Sequence, residues 1–313
     1  MSEPGSITQT QALFPRRQGG AALLLVLLLV AIISILAVNS SENSYHLQRR
    51  LTMQEQQQAI SSELLAIEQF SLEYFGEKID STENSHPKQP WFEPYSLPIT
   101  DSKVQLRLAL AKPCINLYGI SDFKLQHLQQ SPSLQQLQYL IENTSSARST
   151  LDLQLVHRFA SEIVQHSQPD PIANKAELAR RLLAHSWTTL QWEKLSDFVC
   201  FRPNKYNRWN INAFSKADTP LLQALLLNQL DRERVVALIA KVNQKPLSHN
   251  HQFWQLDELQ TIELPSQIKL QLQLRSEYYW LKVNVNRSHH KQAQWWFLQQ
   301  QNQVLKKRFS YRM

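Results

Sequence analysis

The sequence predicts an α+β fold made of one long N-terminal helix, strands that form an antiparallel sheet, and an all-helical block set between those strands. Three observations carry this. No proline occurs between Ala21 and Pro87, and no glycine interrupts that stretch before Gly76. Between about Ser121 and Ser196 the composition shifts to Gln, Leu, Ala, Glu and Arg, the residues that lose least on entering a helix. In the last fifty or so residues the apolar pattern changes to a period of two. The chain has 313 residues and 42% hydrophobic content, enough for one large or two modest domains beyond its apolar N-terminal run.

The first element is read as one helix from about Ala21 to Phe75. Its beginning, Gly19 to Val38, is twenty residues without a charge, and as a helix it rises about 30 Å, the thickness of a bilayer core. Arg16 and Arg17 precede the run, and no Lys or Arg follows until Arg49. The positive-inside rule therefore predicts a single-pass protein with a cytoplasmic N-terminus and an exported bulk. A cleaved secretory signal would have an apolar core of roughly 7 to 15 residues ending at small residues. This run is longer, and Val38-Asn39-Ser40 is a poor cleavage site. A plain signal anchor fits the hydropathy but leaves Gly19-Gly20 unexplained. A leader of the pilin type, cut after glycine by a prepilin peptidase, accounts for both. Beyond the span, Leu47, Leu51, Ile60, Leu64, Ile67, Phe70 and Phe75 keep an apolar stripe at steps near three, four and seven, which would pack on a soluble domain. The register lasts too few heptads for a coiled coil.

Residues 83–98 mix prolines with His, Trp, Phe and Tyr and read as a loop that packs aromatics. Lys103 to Leu110 alternates, with Val104, Leu106, Leu108 and Leu110 on one face of a half-buried strand. Pro113 to Ile120 is a short extended stretch ending in a turn at Gly119. Four amphipathic helices follow: Ser133–Asn143, Thr150–Gln168, Ala173–Ser186 and Thr188–Phe198, the last opened by Thr188 and Gln191 as a capping box. Thr219-Pro220 opens a helix over Leu221–Leu230 with threonine as cap, and Asp231 caps another over Arg232–Val242. Phe253 to Leu259 is a helical turn. Four runs then form the C-terminal meander: Ile268 to Leu274, Tyr279 to Val285, Gln294 to Gln300 and Val304 to Tyr311. In the last, Lys306, Lys307 and Arg308 mark an edge strand.

Chemical motifs are scarce. The five glycines cannot build a phosphate-cradling loop or a dinucleotide fingerprint. No G-x-S-x-G, H-E-x-x-H or EF-hand run occurs. His249-Asn250-His251 and His289-His290 read as solvated loop and hairpin, and Asp257-Glu258 as a solvated acidic pair. No cofactor is expected; a calcium site assembled from distant Asp and Glu cannot be read from a linear sequence. The net charge of +7 raises nucleic acid as a partner, but an exported domain does not meet the chromosome. Cys114 and Cys200 both lie beyond the span, in an oxidising compartment, where one disulfide is the simplest account and two buried thiols the other. Neither has a His or Cys neighbour at zinc-ligand spacing.

The Gly20/Ala21 border, the run Ala22 to Leu28, the motifs Ile115-Asn116-Leu117 and Asn210-Ile211-Asn212 with a helical block between them, and Phe253-Trp254 occur together in one chain. In combination they resemble the K-type minor pseudopilin of the type II secretion system, general secretion pathway protein K, over about Gln18 to Val285. The resemblance implies a pilin-like fold with the long helix against an antiparallel sheet and the helical domain inserted between strands. It divides the chain into a leader (1–20), the long helix (21–75, membrane-spanning over 21–38), a first part of the pilin-like domain (76–120), the inserted helical domain (121–200, or to 260) and the remainder (201–313).

The same resemblance implies cleavage between Gly20 and Ala21, with methylation of the new N-terminal residue. Gly19 offers an adjacent alternative, and Ala21 stands where most such leaders carry a larger residue. The fifth mature residue would be Leu25, where pilins typically carry a glutamate that pairs with a neighbour's terminal amine. Two opposite charges in lipid are tolerable only together, so a subunit without that glutamate can lack a neighbour on one side. The implied place is the filament tip, in the inner membrane and periplasm. Implied partners are the I-type and J-type minor pseudopilins, the major pseudopilin, the assembly platform and the prepilin peptidase. The implied function is non-enzymatic: nucleating a pseudopilus that drives folded proteins across the outer membrane. A minor pilin of a type IV pilus, and a signal-anchored periplasmic enzyme or binding module, are the other readings.

Overall fold

The computed structural model describes residues 19–99, 102–120, 132–145, 149–166, 171–185, 187–204, 207–287 and 290–312. Most of the leader, with Arg16 and Arg17, lies outside the described residues, as does His289. The chain forms two compact units, Met1–Glu68 and Gln69–Met313. Among the described residues the first unit is helix alone, the greater part of α1 (Gly19–Asp80).

Helix α1 ends five residues later than its apolar stripe suggests. Gly76 is accommodated inside it, and Ser81 and Thr82 then turn their hydroxyls back onto the carbonyls of Lys78 and Ile79, satisfying the last turn. After a 3₁₀ turn at Pro90–Phe92 come β1 (Tyr95–Ile99) and β2 (Ser102–Leu110). The loop expected over 83–98 thus yields its end to a strand, and Pro98 is tolerated because β1 is an edge strand. Next are β3 (Ile115–Asn116), a 3₁₀ turn over Leu117–Ile120, and α2 (Pro132–Ser145), α3 (Ser149–His166), α4 (Pro171–Ala184) and α5 (Thr189–Ser196). Thr188 and Gln191 form the expected capping box on α5.

The chain continues through β4 (Val199–Cys200), β5 (Trp209–Asn210), α6 (Thr219–Leu225), α7 (Arg232–Gln244), α8 (Asn250–Trp254) and α9 (Ser266–Gln271). Asp231 caps α7 by accepting from the Arg234 N–H at 2.8 Å. Helix α6 begins at Thr219 with Asp218 in the capping position, and it stops short of Leu230. Leu227 and Asn228 adopt φ of 53° and 54°, a left-handed stop that the period of the leucines does not reveal. Finally β6 (Leu272–Gln273) is followed by β7 (Tyr278–Arg287), β8 (His290–Gln301) and β9 (Val304–Arg312).

The run Ile268 to Leu274 is therefore not the first strand of the meander. Ile268 and Leu272 are buried while Leu270 is 79% exposed, so the spacing that packs is four, the helical one. The sheet has the order β1-β2-β7-β8-β9, antiparallel throughout. Asn302 and Gln303 make the β8–β9 turn with φ of 51° and 64°, both central residues left-handed as the favoured two-residue hairpin requires, here without glycine.

Everything between β2 and β7 leaves the sheet at Leu110 and returns at Tyr279, which are register partners. Within this excursion one apolar core runs from Ile115 to Leu274, so α6 to α9 share it with α2 to α5. The helices join it by the spacing of their apolar residues: Leu134, Leu137, Leu140 and Ile141 on α2; Leu153, Val156, Phe159 and Ala160 on α3; Val235, Leu238, Ile239 and Val242 on α7. Each large side chain so buried stabilises the fold by about 2 kcal/mol relative to exposure. A second apolar layer lies on the face of the sheet that carries Leu106, Leu281, Trp296 and Leu298. The last turns of α1 cover it: Gly76 approaches Leu305, Tyr74 stacks on Tyr95 at 4.8 Å, and Asp80 accepts from Arg275 at 2.5 Å and from Gln300 at 2.7 Å.

Candidate membrane and docking surfaces

Two surfaces have the composition of interfaces. The first is the beginning of α1, whose side chains from Leu23 to Val38 are exposed with only Ser34 polar among them; Leu25 is 61% exposed. By length and composition this helix can cross a membrane once, and it fits a single-pass anchor. Gly19, Gly20 and Ala21 are its first three residues, with backbone already helical. Leu25 lies one turn further along.

The two asparagine motifs are buried clips. Asn116 donates from its amide to the carbonyls of Arg202 and Asn204 and accepts from the Arg202 N–H at 2.9 Å, tying β3 to the irregular segment after Cys200. Its own N–H donates to Asn207 Oδ1 at 2.6 Å. Asn210 donates to the Ser85 carbonyl at 2.7 Å and to Ser276 Oγ at 2.9 Å. A carboxamide offers a donor and an acceptor in one plane, so it can replace a missing strand partner where three segments meet. Cys114 and Cys200 are joined by a disulfide beside these clips, with a Cα separation of 5.9 Å, and the indole of Trp209 donates to the Cys114 carbonyl at 2.8 Å.

The second surface is a groove of about 710 Å³ on the face of the sheet opposite α1. Its floor is Trp280, Trp295, Phe297, Phe309 and Tyr311, from β7, β8 and β9. Trp280 is the hub, with ring centroids 4.8 Å from Phe297, 5.9 Å from Tyr311 and 6.3 Å from Trp295. Helices α4 and α5 supply the wall through Ala176, Ala179 and Trp192. Lys112, Lys175, Asp197 and Arg202 also line it. Lys112 pairs with Asp197 at 3.3 Å. Arg202 lies over the Tyr278 ring at 4.6 Å and donates to the Lys112 carbonyl at 2.8 Å; burial lowers its affinity for its proton to a pKa of about 10. Burial also lowers Lys175, Asp197 opposes this, and Lys112 adds to it.

The sequence reading treats β8 as one face of a meander and misses this groove. The signal is present: Trp295-Trp296-Phe297-Leu298 is apolar at consecutive positions, which marks a strand covered on both faces. Glu258 also differs from the solvated acid expected. It is mostly buried and accepts from Lys241 at 2.5 Å; burial raises its pKa, and the Lys241 bond, a backbone hydrogen bond and the charges of Lys241 and Arg234 together outweigh this to leave it below the usual carboxylate value. His249 and His251 stack at 5.5 Å at the start of α8 rather than in a loop. Among the described residues no group of three or more His, Cys, Asp or Glu could hold a metal ion.

An apolar N-terminal helix, an antiparallel sheet and a large helical excursion between its second and third strands define the fold class that the resemblance implies. A solved structure shares that fold: a chain in the crystal structure of the GspK-GspI-GspJ complex from the enterotoxigenic Escherichia coli Type 2 Secretion System. The match has a TM-score of 0.62 at 20% sequence identity and covers 85% of this chain and 99% of that one. No protein-family model and no curated protein sequence matches the chain.

Proposed function

We propose that the chain is a non-enzymatic minor pseudopilin of a type II secretion system, placed at the tip of the pseudopilus, where it initiates assembly and supports export of folded proteins across the outer membrane. One observation carries this reading: a membrane-length apolar helix runs without a break into the strand-and-insertion fold shared with a chain of a complex of that secretion system. In this reading Arg16 and Arg17 stay cytoplasmic, prepilin peptidase cuts between Gly20 and Ala21, and the bulk is periplasmic. The exposed run from Leu23 to Val38 packs on partner helices in the membrane, with the I-type and J-type minor pseudopilins as neighbours. Leu25 brings no charge to pair with a terminal amine, so the subunit needs no neighbour on that side.

The test is Gly20→Leu in the full chain, with the N-terminal mass of the membrane-extracted protein and secretion of a reporter exoprotein as readouts. The expected result is loss of the form beginning at Ala21, together with loss of secretion. A Gly20→Leu protein that still matures and supports secretion overturns the reading. So does a wild-type chain that keeps Met1 while functioning, which would indicate an anchored binding module.

A further inference from the structure

The groove is built differently from an ordinary solvent-facing sheet surface. Five aromatic side chains form its floor, and one wall comes from an element far away in sequence. Soluble chains rarely leave so large an apolar concavity unfilled unless something occupies it. Its charges are unbalanced: of the four charged lining residues three are cations, and the one carboxylate, Asp197, is shared between Lys112, which it pairs at 3.3 Å, and Lys175, whose charge it favours; Lys112 also has Asp218 at 4.0 Å. Arg202 makes its hydrogen bond to a backbone carbonyl, and Lys175, partly buried on α4, has neither a hydrogen bond nor an ion pair among the described residues. The Trp295 indole N–H, shielded from solvent, likewise has no acceptor. Lys175 and the Trp295 N–H thus border the apolar floor without a hydrogen-bond acceptor, and Arg202 borders it with one backbone carbonyl as its acceptor.

We propose that this groove is a docking site for an acidic, aromatic-bearing peptide segment of a partner protein, with carboxylates meeting Lys175 and Arg202 and apolar side chains lying on Trp280, Trp295 and Phe309. A segment of chain fits better than a compact ligand because Phe309 and Tyr311 belong to β9, the outer strand of the sheet. A peptide entering the groove at that side meets a strand edge that can take main-chain hydrogen bonds. A second copy of this chain is a poor occupant, since each copy carries a net charge of +7. The inference stands on the groove alone and is independent of the secretion reading.

The full chain in lipid nanodiscs is titrated by fluorescence anisotropy with a fluorescein-labelled peptide, Glu-Phe-Asp-Trp-Asp-Leu-Glu, and with its counterpart in which every acid is lysine. The expected result is saturable binding of the acidic peptide, at least about tenfold tighter than the basic one. Lys175→Glu weakens it by about tenfold or more, as does Trp280→Ala. Lys194→Glu, on α5 but outside the groove, leaves it unchanged and controls for overall charge. Near-ultraviolet circular dichroism checks each fold, and because Lys175 is partly exposed its substitution remains informative if Trp280→Ala unfolds. Equal binding of the two peptides, no effect of Lys175→Glu, no saturable binding, or displacement by sodium laurate at equal occupancy each overturns the proposal. Concentration-dependent self-association abolished by Trp280→Ala also overturns it.

Discussion

Asn212 and Leu247 exchange two hydrogen bonds: the Asn212 amide donates to the Leu247 carbonyl at 3.1 Å, and the Leu247 N–H donates to Asn212 Oδ1 at 3.0 Å. Both residues are buried, so one side chain stands in for a strand and holds the segment after α7 in place. Asn212→Ala leaves the buried Leu247 N–H without a partner, while the Leu247 carbonyl keeps only the longer bond from the Asn84 amide at 3.3 Å. The expected cost is about 1 to 3 kcal/mol in chemical denaturation, the cost of one unsatisfied buried group. Asn212→Asp, which keeps the acceptor but loses the donor, should also destabilise at neutral pH.

The disulfide between Cys114 and Cys200 closes a loop with a sequence separation of 86. In the chain-entropy description such a loop contributes about 4.6 kcal/mol. The double variant Cys114→Ser/Cys200→Ser should lose stability on that scale in thermal melts. The wild type should fall to the same midpoint in reductant, and the variant should be indifferent to it.

Gly76 sits inside a helix, where glycine costs about 1 kcal/mol relative to alanine. A methyl group there would meet Leu305 Cβ at 3.7 Å, ordinary contact. Gly76→Ala is therefore expected to stabilise by about 0.5 to 1 kcal/mol, raising the melting midpoint by about 2 °C.

Arg181 joins α3 to α4 by reaching both Glu162 and Glu177, and Arg180 adds a second fork on Glu177. The bonds from Arg180 and then Arg181 hold the Glu177 carboxyl at about 2, against 4.5 in the unfolded chain. A depressed carboxylate contributes stability above its unfolded value and loses it as pH falls toward the folded one. Acid should thus weaken α4 itself, which carries Glu177 and both arginines, between about pH 4.5 and pH 2. Glu177→Gln should flatten that part of the pH-stability curve, measured by urea denaturation at several pH values.

Long periodic segments were legible from the sequence because one spacing explained all their apolar residues: α2 to α5, α7, and strands β2, β7, β8 and β9. Residues 266–274 were not, because Ile268, Leu270, Leu272 and Leu274 suit an alternating strand as well as a short helix. Only the exposure of Leu270 separates the two. The end of α6 depended on left-handed Leu227 and Asn228, which no apolar period reports. At the surfaces, the membrane run was visible as uninterrupted hydropathy. The groove was not, because its wall on α4 and its floor on β8 meet only once the excursion has folded back on the sheet.

That excursion has a consequence in time. Leu110 and Tyr279 pair directly although more than half the chain separates them. Closing so long a loop while it is unstructured costs conformational entropy that a strand pair alone recovers poorly. If the helices condense first, their shared core already brings the two ends together, and β2 then meets β7 across a short gap. The order expected is helices before sheet, a protein whose middle matures before its edges. Pulse-labelled hydrogen exchange should show protection of α2 and α7 amides ahead of those in β2, and the reverse order would mean that the sheet forms the frame into which the helices settle.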